Sequence, residues 1–300
     1  MTGKDTRRAI AIGLAAAAGS AGVALAQATA PATTTGNFGG GAIAVPVNEN
    51  SVARDMLLSI RAVASGRIGV DGQMYTRCGH ATIKGKTSLA ADGSFTLRGT
   101  ATRKPVVGVT ERTTFTITGT LTADGGMGTA KASVRAKAGR RAARTCNSRT
   151  VRWTVRRPVE APAAPAPAPT EATLFGITAQ SGTSAKKAVV VHATKAGRAI
   201  DRFVLAFRAP CEGRRIVVTD DVNYSPEFAV AADGSFRFVE RFRVNFSDVA
   251  QRTTIVVRGQ FDQAGAVAGK LAVTQRYTNR RSGKRVDLCK TGTLAWSARP

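Results

Sequence analysis

The chain has 300 residues, with 44 Lys and Arg against 19 Asp and Glu, and its formal net charge is +25. It contains two histidines, His80 and His192, and no GxSxG, HExxH, P-loop or dinucleotide-binding motif. Because acid–base and nucleophilic catalysis need a base held beside its partner, this composition argues against an enzyme, and we expect no cofactor and no metal ion.

Residues 1–26 are typical of a signal peptide. Lys4, Arg7 and Arg8 precede an apolar stretch that ends in the sequence ALA, a small-x-small cleavage pattern. We predict cleavage before Gln27, which leaves no transmembrane segment and places the mature protein outside the cytoplasm, either secreted or in the cell envelope. The alternative is a retained anchor, but a stretch so rich in Ala and Gly partitions weakly into lipid. The arginine pair leaves general and twin-arginine export both open.

The segment that follows, residues 27–50, contains the sequence TAPATTTGNFGGG. Its small and glycine-rich composition predicts a flexible leader, although residues 43–47 could supply a first strand.

The rest of the chain is a tandem duplication. The hexapeptide AADGSF occurs at residues 90–95 and 231–236, and the tripeptide RTT occurs at residues 112–114 and 252–254. Each copy also has one of the two tryptophans, Trp153 or Trp296, seven residues after a cysteine. These matches predict two modules, residues 51–157 and residues 172–300, each with its own core.

The four cysteines form a disulfide framework in this interpretation, because an exported protein meets an oxidising medium. They are Cys78, Cys146, Cys211 and Cys289. Four cysteines allow three pairings, and the duplication selects one of them, since equivalent modules should have equivalent bridges. We therefore predict Cys78–Cys146 in the first module and Cys211–Cys289 in the second.

A Pro/Ala-rich linker, residues 158–171, joins the modules. Its sequence PVEAPAAPAPAPTE favours extended polyproline geometry and excludes a helix interior or a central strand. We expect a semi-rigid spacer of roughly 40 Å that holds the modules apart.

Each AADGSF copy predicts a β-hairpin with a three-residue loop, because a loop of this length keeps the flanking apolar residues on one face. The same rule predicts three-residue loops at residues 123–125 and 263–265. Many short strands and tight glycine turns indicate an all-β fold of two tandem antiparallel meanders, each a small barrel or a sandwich with one internal disulfide. An immunoglobulin domain is disfavoured, because both tryptophans follow the second cysteine of their module.

The order of a cysteine, DGSF, an alternating Thr-rich strand, a second cysteine and a final Trp strand resembles exported bacterial β-repeat proteins with no assigned activity. The resemblance covers both modules, and its motifs are mostly turn and core residues. It therefore implies the fold and export, and it implies no catalytic or binding residue.

Positive charge is concentrated before the second cysteine of each module, where we expect a hairpin tip anchored by the disulfide. The candidate polyanion-binding residues are Arg135, Lys137, Arg140, Arg141 and Arg144 in the first module, and Arg276, Arg280, Arg281, Lys284 and Arg285 in the second. Two basic tips suit an extended polyanion, although a solvated loop without a specific role is an equally simple interpretation.

We therefore expect a non-catalytic protein that binds or coats an anionic extracellular surface, either an envelope polymer or a lipid surface. Nucleic acid is a poorer candidate, because the protein is exported and the basic tips have no aromatic stacking platform. The alternative is a barrel that encloses a small apolar ligand, with Glu240 at its mouth.

Overall fold

The computed structural model describes residues 34–43, 55–76, 79–103, 109–139, 142–159, 163–180, 188–194, 196–213 and 218–300. Over these ranges the chain forms β-strands and turns, and no helix has both the length and the apolar character needed to cross a membrane. The predicted signal peptide lies outside the described residues.

The first sheet is an antiparallel meander in which the first strand pairs with the last. Its strands are β1 (Gly36–Ala42), β2 (Met56–Ala62), β3 (Arg67–Thr76), β4 (Gly79–Ser88), β5 (Ser94–Arg103), β6 (Val109–Leu121), β7 (Gly125–Ala138), β8 (Arg144–Asn147) and β9 (Val151–Arg156). The spatial order is β4-β3-β2-β1-β9-β7-β6-β5, and β8 pairs with β7. The pairing of β1 with β9 nearly closes the sheet into a barrel-like shape, with its edges at β4 and β5.

The second sheet repeats this topology. Its strands are β10 (Thr173–Thr178), β11 (Ala188–Ala193), β12 (Ala199–Pro210), β13 (Val218–Ser225), β14 (Phe228–Ala229), β15 (Ser235–Asn245), β16 (Val249–Phe261), β17 (Val267–Asn279) and β18 (Arg285–Arg299). The order is β13-β12-β11-β10-β18-β17-β16-β15, and β14 pairs with β12. The predicted all-β fold of two tandem antiparallel meanders is confirmed.

Each sheet wraps around its own aromatic core, because apolar side chains alternate along its strands. Trp153 and Phe38 are buried in the first core, and Trp296, Phe203 and Phe261 in the second. Trp296 packs edge-on against Phe203 with 5.2 Å between the ring centroids. The two tryptophans therefore fill equivalent places in the two cores.

The predicted bridge Cys211–Cys289 is present in the second sheet. Cys146 in the first sheet is also disulfide-bonded, and its predicted partner Cys78 lies outside the described residues. The repeat thus correctly indicated the covalent link of the second sheet.

Three of the four predicted loops have the predicted length, but the two AADGSF turns do not form hairpins, because β4 and β5, and likewise β14 and β15, are not paired with each other in the described sheets. Ala90 N donates to Ser94 O, Ala231 N to Ser235 O, and Asp262 N to Ala266 O, so each pair closes a loop of three residues. The last loop residue in each case is a glycine with φ between 73° and 83°, a region that side chains rarely adopt.

The loop at residues 123–125 was predicted wrongly. Thr122 N donates to Gly125 O, and Leu121 pairs with Gly126, so only two residues form the turn. Met127 is consequently not opposite Leu121 and is exposed. The apolar-matching rule failed here because Gly126 meets Leu121 closely: an added Cβ on Gly126 would lie 2.4 Å from Leu121 Cδ2.

The predicted flexible leader contains an ordered strand, β1, at the centre of the first sheet. Phe38 of this strand is fully buried, and the strand pairs with both β2 and β9. Glycines that read as flexible in the sequence are needed for close packing, since a Cβ added to Gly39 would lie 2.3 Å from Gly176 O in the second sheet. The suggested strand at residues 43–47 is not formed at Ile43, and residues 44–47 lie outside the described ranges.

The expectation that the linker holds the modules apart is also wrong. Ala163 N donates to Asp262 Oδ2 at 3.2 Å, and Ala166 N donates to Phe261 O at 3.1 Å. Ala168 is buried in the second core. The alanines keep backbone N–H groups between the prolines, so this segment runs along the second sheet and does not extend into solvent.

The two sheets pack directly on each other through an apolar contact. Leu57 of the first sheet lies in one buried cluster with Ala188, Val190, Val204 and Ala206 of the second. At the edge of this contact Arg202 forms a buried ion pair with Asp55 of the first sheet. The contact makes one compact unit of residues 31–300.

Candidate functional site

The predicted basic tips are exposed wherever they are described. Arg135 and Lys137 lie on β7 and Arg144 on β8, while Arg140 and Arg141 lie outside the described residues. In the second sheet Arg276 lies on β17, and Arg280, Arg281, Lys284 and Arg285 follow around the β17–β18 turn.

The β17–β18 turn is ordered by the side chain of Asn279. Its Oδ1 accepts from the backbone N of Arg281 and of Ser282, both at 2.9 Å. Gly283 N donates to Asn279 O, and Gly283 has φ of 68°. The basic side chains of this turn therefore project from a defined backbone.

The register of the second sheet brings further arginines together that the sequence analysis did not identify. Arg243 on β15 pairs with Arg252 on β16, and Arg252 pairs with Arg276 on β17. A parallel row joins Arg237 to Arg258 and Arg258 to Lys270. We call this exposed surface the arginine face, which comprises Arg237, Arg241, Arg243, Arg252, Arg258, Lys270 and Arg276.

Side-chain alternation explains why these residues share one surface. Ile255, Val257, Leu271 and Val273 on the same strands are buried in the core, so the residues between them face outward. Only the pairing register, which joins residues far apart in the chain, reveals that the outward residues are adjacent cations.

The charges of the arginine face are not balanced by nearby carboxylates in the described part of the chain. Arg243 Nε donates to the neutral Asn245 Oδ1 at 3.0 Å, and no ion pair with a described acid involves Arg252 or Arg276. By contrast, Glu212 lies 3.1 Å from Lys290 Nζ. Like charges directly opposite each other destabilise a sheet, so this face is electrostatically unfavourable without an anion.

A shorter version of the arginine face exists on the first sheet. Arg112 on β6 pairs with Arg135 on β7, and both are exposed. The neighbouring positions in this row are Thr102 and Thr145, which are uncharged. The two sheets therefore share the cross-strand arginine pair, and the second sheet extends it.

The first sheet also has an external basic hollow of about 550 Å³ over β2, β3 and β4. Gly69 forms part of its floor, with Arg61 opposite on one neighbouring strand and Lys86 on the other. Arg67 and Lys84 complete its basic lining. The acidic Asp71 also lines the hollow, which is therefore basic overall, with four cations against one carboxylate.

The packed cores argue against the alternative of a small-ligand barrel. Trp153 and Trp296 occupy the interiors in which a lumen was expected. Glu240 is half-buried opposite Ile255 within an uninterrupted ladder.

The two histidines lie in different surroundings. His80 Nδ1 is 3.2 Å from Gln73 Oε1, and its ring packs against Tyr75. His192 Nδ1 is 2.6 Å from Asp201 Oδ1, and its side chain is buried beside the contact between the sheets.

The repeated turn also has a specific side-chain contact. Asp92 Oδ1 accepts from Ser94 N and Asp233 Oδ1 accepts from Ser235 N, both at 2.9 Å. The Ser94 side chain and backbone lower the pKa of Asp92, and the Ser235 backbone and side chain lower the pKa of Asp233. The hydrogen bond from the serine side chain to the same carboxylate favours Ser after Asp-Gly in both copies.

Comparisons with known proteins give little further information. No family model matches the chain, and no curated protein matches it. A solved structure from Bacteroides fragilis, described as a "putative outer membrane protein", is 12% identical and covers 89% of this chain and 98% of its own, with a TM-score of 0.22.

Proposed function

We propose that this protein is an exported, non-catalytic protein, secreted or held in the cell envelope, that binds an anionic extracellular surface through the arginine face. The signal-like N-terminal sequence supports this location, as does the resemblance of the two modules to exported bacterial β-repeat proteins. The observation that carries the binding role is the row Arg243–Arg252–Arg276, in which three exposed cations lie on three neighbouring strands.

The physical argument starts from the repulsion within that row. A sheet position tolerates almost any polar residue on its solvent face, so threonine, as at Thr102 in the first sheet, would avoid the repulsion. An anion placed over the row converts the repulsion into several favourable ionic contacts and releases counterions. The second sheet thus has a surface whose electrostatic energy improves on binding a polyanion.

The basic turn of β17–β18 extends this surface. Arg280 Nη1 donates to Phe246 O at 2.9 Å and to Ser247 O at 3.2 Å, which ties this turn to the neighbouring β15–β16 turn. The predicted tip residues of the second sheet share Arg276 with the arginine face, so the two sets form one basic surface that is larger than the tip alone.

Retention on immobilised heparin tests the proposal. The wild-type protein should elute at high salt, and Arg252→Glu with Arg276→Glu should elute at clearly lower salt. The slope of log affinity against log salt should fall by roughly one for each arginine replaced. Arg149→Glu with Arg198→Glu changes the net charge equally at exposed positions outside the face and is the matched control. Equal shifts in the two variants, or no retention of the wild type, would contradict the proposal.

A further inference from the structure

The β15–β16 turn exposes apolar side chains at the end of β15, just beyond Arg243. Large exposed apolar side chains are few in the described residues, namely Val63, Met127, Val244 and Phe246. Two of these four lie two positions apart at the end of β15, where Phe246 is 50% exposed and Val244 is 39% exposed. Residues two apart in a strand point to the same side, so they form one apolar patch.

This patch continues the apolar row of β15 beyond the core. Phe236 at the start of the strand is buried, Phe242 is partly buried, and Val244 and Phe246 are exposed. A row that served only the core would end where the core ends. The extension therefore needs a different explanation.

The apolar patch is held in place and is not a frayed end. Phe246 N donates to Val249 O at 2.8 Å, which closes the turn. Arg280 contacts the same turn three times: its backbone N donates to Asp248 O, and its Nη1 donates to Phe246 O and Ser247 O. The β17–β18 turn thus supports the β15–β16 turn from the side.

Positive charge lies close to the patch. Arg280 and Arg281 lie on the adjoining turn, and the β15–β16 turn itself contains the exposed acid Asp248. Arg243 precedes Val244 and points to the opposite face of β15. Exposed apolar side chains beside a basic cluster match the chemistry of an anionic membrane interface, where the apolar groups enter the acyl boundary and the cations meet phosphate headgroups. A water-soluble polyanion offers nothing to Phe246 or Val244.

We propose that the β15–β16 turn docks on an anionic lipid membrane, with Phe246 and Val244 entering the interface and Arg280 and Arg281 of the adjoining turn contacting lipid phosphates. This inference rests on the proposed function, because it identifies the anionic surface as a lipid bilayer and places the contact at one turn. The inference also adds burial of the Phe246 and Val244 side chains to the binding free energy, which purely electrostatic binding does not include.

The experiment measures co-sedimentation of the full chain with phosphatidylcholine vesicles, with and without phosphatidylglycerol, alongside heparin retention. Phe246→Ser with Val244→Thr should weaken binding to the phosphatidylglycerol vesicles about tenfold or more, because most of the apolar area that enters the bilayer is removed. Heparin retention of this variant should equal that of the wild type. Met127→Ser with Val63→Thr removes exposed apolar groups elsewhere and should leave both measurements unchanged.

A second variant reports insertion directly. The two native tryptophans are buried, so Phe246→Trp adds a single exposed indole whose emission should shift to the blue on phosphatidylglycerol vesicles and not on heparin.

The outcomes separate the two proposals. Wild-type binding to heparin without binding to phosphatidylglycerol vesicles, or undiminished vesicle binding by Phe246→Ser with Val244→Thr, overturns the membrane inference and leaves the proposed function standing. Binding to neither probe overturns the proposed function itself. If the wild type is a dimer and Phe246→Ser with Val244→Thr is a monomer, the apolar patch binds a second copy of the chain, and the membrane inference is overturned.

Discussion

Asp55 of the first sheet and Arg202 of the second form an ion pair in which the side chains are only 1% and 8% exposed. A β-bulge in β12 accounts for the position of Arg202: the register shifts between His192 and Ala193, which leaves Asp201 as an extra residue. Asp201 then contacts His192 within the second sheet, and Arg202 reaches the first sheet. A single local irregularity thus provides a polar link between the two sheets.

Removing one member of this pair should be costly. Arg202→Met removes the guanidinium group that contacts the buried Asp55 carboxylate, and we expect the free energy of unfolding to fall by about 3–5 kcal/mol. Asp55→Leu combined with Arg202→Met should recover much of that loss, which a double-mutant cycle in urea would measure. The exposed Arg198→Met is the control and should change stability by less than about 0.5 kcal/mol. If the effects of Asp55→Leu and Arg202→Met on the free energy of unfolding are additive, the two side chains are not coupled and the ion pair is contradicted.

The glycine contact between the sheets gives a second prediction. Gly39→Ala places a methyl group 2.3 Å from Gly176 O and 2.8 Å from Ile177 Cβ, whereas Gly69→Ala meets nothing within 4 Å. We expect the first substitution to destabilise the protein by about 1–3 kcal/mol through overpacking and the second to be nearly neutral. Thermal unfolding compares the two variants. Hydrogen exchange of β1 and β10 should rise only for Gly39→Ala, and equal exchange in both variants would show that the sheets do not touch there.

The disulfide of the second sheet closes a loop with a sequence separation of 78. Replacing Cys211 and Cys289 together by Ala should lower the free energy of unfolding of that sheet by roughly 4 kcal/mol, since the unfolded chain regains the entropy of the open loop. Denaturant unfolding measures the change. Mass spectrometry of non-reduced peptides should find Cys211 linked to Cys289 and Cys146 linked to Cys78. A Cys146–Cys211 peptide would refute the duplication of the covalent framework.

The repeated turns predict a pH dependence. Hydrogen bonds from Ser94 and Ser235 lower the pKa of Asp92 and Asp233 in the folded protein. A carboxyl group with a lowered folded pKa stabilises the protein fully above its unfolded value of about 3.9, and this stabilisation is lost as the pH falls through the folded value. The thermal midpoint of Asp92→Asn with Asp233→Asn should therefore lie below that of the wild type at neutral pH.

The difference between the two midpoints should be constant above about pH 5 and should shrink below about pH 4, because the wild-type carboxyls are then protonated. Asp248→Asn, in the exposed β15–β16 turn where no hydrogen bond from a backbone N–H to that carboxylate is found among the described residues, is the matched control. A difference that persists unchanged in strong acid would refute a role for the ionised carboxylates.

Local signals in the sequence determined the tight turns and much of the strand pattern, but not which strands pair across the AADGSF turns. Asp-Gly places a glycine where positive φ is required, and alternation places apolar residues on one face, so both signals act within a few residues. This is why the loops closed at Ala90, Ala231 and Asp262 were predicted correctly. The duplication also predicted the cysteine pairing, because equivalent modules should have equivalent bridges, and the Cys211–Cys289 bridge is present.

The tertiary structure alone decided the features that depend on what lies opposite a residue. The sequence around Gly39 predicts a flexible segment, but the structure packs Gly39 closely against Gly176. The linker sequence predicts a spacer, but its backbone N–H groups donate to Asp262 and Phe261. Likewise Arg243, Arg252 and Arg276 are far apart in the chain and become neighbours only through the register of β15, β16 and β17. Sequence patterns encode backbone conformation and the side of a strand, whereas contacts between distant segments arise only when the sheets close and pack on each other.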